Sequence, residues 1–89
     1  MASFKIEWKS SAARELKKLD RETLHKVLRV VESLGAEPRP PGVKKLAGAE
    51  HTYRIRSGDY RIVYSIHDKM LLVEVIRIGH RSNVYNNLL

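Results

Sequence analysis

Three arginines lie on one side of a short segment whose pattern is typical of two paired β-strands. Residues 53–56 and 60–64 alternate aromatic or aliphatic side chains with arginine or valine, and this period of two predicts a strand in each. The serine, glycine and aspartate between them supply a turn. Antiparallel pairing would gather Arg54, Arg56 and Arg61 on one face, where forked, permanently charged guanidinium groups can bind phosphate. The segment therefore predicts a polyanion site, although arginines on an open sheet face are often only solvated.

Three more side chains that can perform proton or phosphate chemistry follow the last apolar segment. They are His80, Arg81 and Tyr85. Gly79 is expected to end the strand and let the chain bend. Since this strand should lie beside the hairpin, its end would carry all three residues to the arginine face. The four histidines have no metal-ligand spacing and no cluster of Asp, Glu or Cys accompanies them, so we expect a site without metal or cofactor.

Composition narrows the class of protein. The 89 residues predict a single domain over residues 1–89, and the net charge of +7 favours a nucleic-acid binder or the partner of an acidic protein. The absence of cysteine excludes a disulfide scaffold and suits a reducing cytoplasm. The chain shows neither a signal peptide nor an apolar run that could span a membrane. Charge indicates affinity for polyanions and says nothing of catalysis.

The elements around these residues predict an α+β fold of order β-α-α-β-β-β. Alternation over residues 4–8 predicts the first strand, Ser10 or Ser11 should cap a first helix, and Asp20 should cap a second that ends at Gly35. The apolar stripe of the second helix contains Leu24, Val27, Leu28, Val31 and Leu34. A proline-rich connection then leads to the hairpin and a last strand over residues 71–78. We expect a mainly antiparallel four-stranded sheet with the helical hairpin packed on one face.

Several fragments together resemble the RelE/ParE toxin superfamily, and specifically its RelE-type ribosome-dependent mRNA interferases. The matching fragments are Lys45-Leu46-Ala47-Gly48, Tyr53-Arg54-Ile55-Arg56, Gly58-Asp59-Tyr60-Arg61-Ile62-Val63-Tyr64, Ile78-Gly79-His80-Arg81 and Val84-Tyr85. With the β-α-α opening, the resemblance covers essentially the whole chain. It implies a RelE-like fold and a toxin that enters the ribosomal A site and cuts the mRNA there. It also implies an acidic RelB-like antitoxin as partner and a toxin–antitoxin complex of higher order.

The resemblance also implies roles for individual residues. Arg61 takes the position of the phosphate-contacting arginine, Arg81 that of a late catalytic arginine, and Tyr85 that of the catalytic tyrosine. His80 stands where some relatives have lysine and others use a histidine nearby. The family's basic positions that hold substrate phosphates fall on Arg54, Arg56 and Lys45.

RNA can be cut without metal because its own 2′-OH can attack the adjacent phosphate. The identity of the base stays open. An unperturbed tyrosine has a pKa of about 10. Neighbouring arginines would lower the pKa of Tyr85. His80 is the rival, since histidine changes charge near neutral pH. Two alternatives to a nuclease remain: a ParE-like toxin that inhibits DNA gyrase without cutting RNA, and a catalytically inactive module that binds RNA or antitoxin.

Overall fold

The computed structural model describes residues 3–80, which form two helices and five strands. The helices are α1 (Ser10–Lys17) and α2 (Arg21–Ala36). The strands are β1 (Lys5–Trp8), β2 (Lys44–Lys45), β3 (Thr52–Ser57), β4 (Tyr60–His67) and β5 (Leu72–His80), with a short 3₁₀ turn at Asp68–Met70 between the last two. Within this part of the chain, no helix is long and apolar enough to cross a membrane.

All five strands belong to one sheet in the order β1-β5-β4-β3-β2. β1 pairs in parallel with β5, and every other neighbouring pair is antiparallel. The predicted α+β fold is confirmed, but the prediction of four strands was wrong by one. β2 was missed because two lysines carry no periodic signal, and the strand exists only through its pairing with β3.

The two helices cover one face of this sheet and enclose the core. Its fully buried residues come from both layers: Ala12, Val27, Val31, Leu34, Ile62, Tyr64, Ile66, Val73, Val75 and Ile78. The stripe predicted for the second helix is confirmed for its three buried members, whereas Leu24 and Leu28 are half-buried. The predicted cap also holds, because the Asp20 carboxylate accepts a hydrogen bond from the Thr23 N–H at 3.3 Å.

Two predicted helix boundaries were wrong, and tertiary contacts explain both. α1 is preceded by Lys9, without a side-chain cap, and the Ser11 hydroxyl instead donates to the Ile76 carbonyl at 2.9 Å. α2 continues past Gly35 to Ala36. The Gly35 carbonyl accepts the Phe4 N–H at 2.7 Å, and a Cβ at Gly35 would lie 3.1 Å from the Phe4 oxygen. Glycine therefore serves here for close approach of backbone and not for helix termination.

One extra residue in β5 divides its pairing with β4 into two registers. Tyr64 pairs with Val75, whereas the preceding residue Val63 pairs with Arg77, so Ile76 has no partner in β4. This is a β-bulge, and it reverses which face each later β5 residue occupies relative to simple alternation.

Candidate functional site

The arginines of the hairpin share the sheet face opposite the helices, as predicted. Arg56 pairs directly with Arg61, and Arg54 pairs with Val63, so all four side chains point to one side. Tyr53–Tyr64 and Ile55–Ile62 are the intervening pairs, and they face the core. The turn between the strands contains Gly58 at φ +61°, the left-handed conformation that glycine tolerates.

Arg61 is buried, which differs from the exposed arginine that an open sheet face predicts. Only 5% of its surface is exposed. Its partner on the other side is Gly79 of β5, a position without a side chain. The prediction that Gly79 breaks the strand was wrong, since β5 continues through it to His80. A glycine in a strand leaves room for a large side chain on the neighbouring strand, and here the paired residue is Arg61.

Two further cations join this face and were missed from the sequence. Lys44 of β2 pairs with Arg54, and Arg77 of β5 pairs with Val63, so a row Lys44–Arg54–Val63–Arg77 crosses four strands. We call the set Lys44, Arg54, Arg56, Arg61 and Arg77 the basic face. Simple alternation from Val73 and Val75 would place Arg77 among core residues. A charged residue at a position predicted to be buried was the sequence signal that the alternation is interrupted.

A groove of 530 Å³ lies at the β2 end of the basic face. It is lined by Pro41, Gly42, Lys44, Arg54, Ile55 and Arg56. Lys45, predicted to bind substrate phosphate, pairs with Tyr53 and therefore belongs to the other side of the sheet. Its exposed side chain is not part of the basic face, where the neighbouring Lys44 lies instead, and phosphate binding by Lys45 stays a prediction.

His80 also lies on the face opposite the arginines. It pairs with Tyr60, one position beyond the Arg61–Gly79 pair, and the two rings meet edge to face with centroids 5.6 Å apart. The expected delivery of His80 to the arginine face was therefore wrong, because the bulge and the unbroken strand decide its side. Arg81 and Tyr85 lie outside the described residues, and their roles stay predictions.

A second polar cluster, formed by Tyr64, Arg39 and Asp68, holds the proline-rich connection against the helix-covered side of the sheet. The Tyr64 hydroxyl donates to the Pro38 carbonyl at 2.7 Å, and Arg39 forms a forked ion pair with Asp68 at 2.8 and 3.1 Å. Burial raises the pKa of Tyr64, so this phenol stays protonated and cannot act as a base. The hydrogen bond that Asp68 accepts from Arg39 holds the pKa of the Asp68 carboxyl below its usual range. This cluster supports the fold and lies away from the basic face.

In the described part of the chain, no group of three or more His, Cys, Asp or Glu side chains could hold a metal ion. The charged groups of the basic face are four guanidinium groups and one ammonium group. Such a surface can bind successive phosphates and can stabilise negative charge that develops on one of them.

Known proteins are similar to this chain in fold and in sequence. The family described as the ParE toxin of the type II toxin–antitoxin system parDE matches residues 6–85. Toxin RelG of Mycobacterium tuberculosis is 31% identical over 86 residues, which cover 92% of this chain and 95% of the relative. A chain of the archaeal RelE–RelB complex from Pyrococcus horikoshii aligns with a TM-score of 0.81 at 26% identity, covering 91% of this chain and 98% of that one. The isolated RelE toxin of Escherichia coli aligns with a TM-score of 0.77 at 30% identity, covering 96% and 93%.

Proposed function

Because the chain belongs to the ParE toxin family of type II toxin–antitoxin systems and is similar to RelE toxins over nearly its whole length, we propose that it is a ribosome-dependent endoribonuclease. It cuts mRNA in the ribosomal A site and is silenced by an acidic RelB-like antitoxin. The observation that supports this most is the basic face, where Arg61 is buried directly beside Arg56. Two adjacent guanidinium groups offer several charge-assisted N–H donors to one phosphate.

The reaction is an attack of the 2′-OH on the adjacent phosphorus. The O–P bond that forms gives a cyclic phosphate, the bond to the 5′-oxygen of the next nucleotide breaks, and that oxygen leaves as a free hydroxyl. Tyr85 takes the proton of the 2′-OH; His80, the other candidate base, lies on the sheet face opposite Arg61. Arg61 stabilises the charge that develops on the phosphate oxygens, and Arg81 stabilises the charge on the departing 5′-oxygen, which takes its proton from water. Arg56 binds the same phosphate as Arg61, and Arg54 holds a neighbouring one.

Dependence on the ribosome follows from how little the chain offers for holding a flexible RNA. Only six residues line the groove beside the basic face, and correct orientation of reacting groups can be worth ~7–11 kcal/mol of barrier. We propose that the ribosome supplies this orientation. The toxin would then contribute charge and proton transfer.

The decisive experiment maps the 5′ ends of a reporter mRNA in a translating extract. New ends at positions occupied by the A site, with a 5′-hydroxyl on the downstream fragment, are expected. The same RNA without ribosomes should be cut very poorly even at high toxin concentration. Equal cleavage of naked RNA would contradict the ribosome dependence, and the absence of new ends would contradict the nuclease.

A second candidate function is favoured by the description of the matching family, which is that of ParE toxins. In that case the chain inhibits DNA gyrase and cuts no RNA. A supercoiling assay with purified gyrase separates the two functions. Inhibition of supercoiling without mRNA cleavage would establish the second candidate and exclude the first.

A further inference from the structure

We propose that Arg77 is a further phosphate-binding residue of the basic face and that Glu15 of α1 is the residue that positions it. This inference rests on the proposed function, since it names a substrate contact of the same site. It is carried by the β-bulge at Ile76 and by the way α1 holds that bulge in place.

The bulge is what turns Arg77 toward the arginines. Val75 faces the core, so regular alternation would turn Ile76 outward and Arg77 inward. The extra residue reverses this order, and Arg77 instead pairs with Val63, with Ile78 turned into the core. Bulges often re-aim a side chain beside a functional site.

Side chains of α1 complete the hydrogen bonding of β5 where β1 ends. The parallel ladder with β1 stops after the Lys9 N–H donates to the Val75 carbonyl at 2.9 Å. Beyond it, the Ser11 hydroxyl donates to the Ile76 carbonyl, and the Ile78 N–H donates to Glu15 Oε1 at 2.9 Å. Two side chains thus take over the role of a neighbouring strand and fix the bulged backbone.

The same carboxylate holds the Arg77 side chain. Glu15 Oε2 accepts a hydrogen bond from Arg77 Nη2 at 3.2 Å, and the two side chains are only 25% and 28% exposed. One of the five guanidinium N–H donors is used by this bond, and the Nε donor is buried, without a hydrogen-bond partner among residues 3–80, so the accessible donors that are left belong to the two Nη atoms. Arg77 therefore keeps donors for a phosphate, while Glu15 limits the positions its guanidinium group can adopt.

Position along the row defines what Arg77 would contact. Lys44, Arg54 and Arg77 occupy the same row, on the second, third and fifth strands, with Val63 between the two arginines. Strands lie about 4.8 Å apart, so the cations at the two ends of this row stand about 14 Å apart. The row fits the backbone of a single-stranded nucleic acid that crosses the strands. Arg77 would bind a phosphate that lies closer to β5 than the phosphate bound by Arg61.

The test measures how salt weakens binding of an uncleavable 2′-O-methyl RNA oligonucleotide. Each phosphate contact on a single strand contributes about 0.7 to the slope of log Kd against log salt concentration. Arg77→Gln should lower that slope by about 0.7 and weaken binding about tenfold at low salt, because one charge-assisted contact is lost. Arg14→Gln, which removes an exposed charge from α1, is the matched control and should change neither quantity.

Glu15→Gln tests the positioning role. We expect it to weaken RNA binding several-fold in the wild-type chain and to have no further effect in an Arg77→Gln chain. Equal losses in both backgrounds would show that Glu15 supports only the fold, and would overturn its proposed role. If Arg77→Gln does not fold, Arg77→Lys replaces it, and this variant should keep the salt slope with weaker binding. An unchanged slope and affinity in a folded Arg77→Gln chain would overturn the inference.

The two proposals can fail separately. If the wild type cuts mRNA on ribosomes while Arg77→Gln binds RNA as the wild type does, only the role of Arg77 is wrong. If the wild type cuts no mRNA, the proposed nuclease is wrong, and the salt slopes still decide whether Arg77 contacts phosphate.

Discussion

Arg56 and Arg61 are direct partners in the ladder between β3 and β4, so two cationic side chains stand side by side on one face of the sheet. Like charges opposite each other in a sheet are destabilising, and burial of one of them adds to the cost. Arg61 is 5% exposed, whereas Arg56 is exposed to solvent. Under the proposed function, these two side chains bind the phosphate at which the RNA is cut.

We predict that Arg61→Ala slows single-turnover cleavage by a hundredfold or more, as loss of one transition-state charge contact costs ~3 kcal/mol. Because the residue is buried, the change should also lower the free energy of unfolding by about 1 kcal/mol through lost packing of its aliphatic stem. Arg29→Ala, at an exposed position of α2, is the control and should affect neither. Cleavage that falls only in proportion to the unfolded fraction would make Arg61 purely structural.

Removal of the Tyr85 hydroxyl should separate the two candidate bases. Tyr85→Phe keeps the ring, and we expect single-turnover cleavage at saturating toxin to fall by about two to four orders of magnitude. His80→Gln should cost clearly less, since the backbone register places His80 with Tyr60 on the opposite sheet face. With tyrosine as the base, the rate should keep rising above about pH 7. An inactive His80→Gln protein together with an active Tyr85→Phe protein would reverse the assignment.

Association with the antitoxin should be driven by the charge of the basic face. Arg54→Glu together with Arg56→Glu should slow association at low salt by at least about tenfold, because opposite charges steer the encounter of two proteins. Arg21→Glu together with Lys26→Glu changes the charge equally on the exposed side of α2 and is the control. Stopped-flow measurements over a range of salt concentrations test this. If both double substitutions slow association equally, the association rate depends on net charge alone and not on the basic face.

The Tyr64 hydroxyl should stabilise the fold without affecting cleavage. It is fully buried and donates to the buried Pro38 carbonyl at 2.7 Å. Tyr64→Phe leaves that carbonyl without its partner, so the free energy of unfolding should fall by about 1–2 kcal/mol. Tyr60→Phe removes the hydroxyl of a half-buried tyrosine and should lower the free energy of unfolding less. Urea denaturation measures both changes in the free energy of unfolding. An unchanged free energy in Tyr64→Phe would show that the hydrogen bond to Pro38 does not stabilise the proline-rich connection.

The ion pair between Arg39 and Asp68 should make part of the stability sensitive to acid. Arg39 lowers the pKa of Asp68 from 3.8, the value expected for the unfolded chain. The contribution of the ion pair to the free energy of unfolding is therefore complete at pH values above the pKa of the unfolded chain. It is lost as the pH falls through the lower pKa that Asp68 has in the folded protein. Thermal unfolding at several pH values should show wild type and Asp68→Asn differing at neutral pH and converging in acid. A difference that does not change with pH would exclude this linkage.

Local signals predicted much of this fold. Alternation identified the hairpin strands, Asp20 capped α2 as its position before an apolar stripe indicates, and the glycine turn placed Arg54, Arg56 and Arg61 on one face. These features depend on neighbouring residues and on the period of a strand or helix, which a sequence displays directly.

Only the tertiary structure decided which other residues join the arginines. Arg77 reaches the basic face, and His80 the other side, because one extra residue enters β5 at Ile76. That bulge is held by a hydrogen bond from the Ser11 hydroxyl to Ile76 and another from the Ile78 N–H to Glu15, and both helix residues are more than sixty positions away in the chain. No periodicity reports such contacts, since a one-residue shift of register exchanges the two faces of a strand without changing its composition.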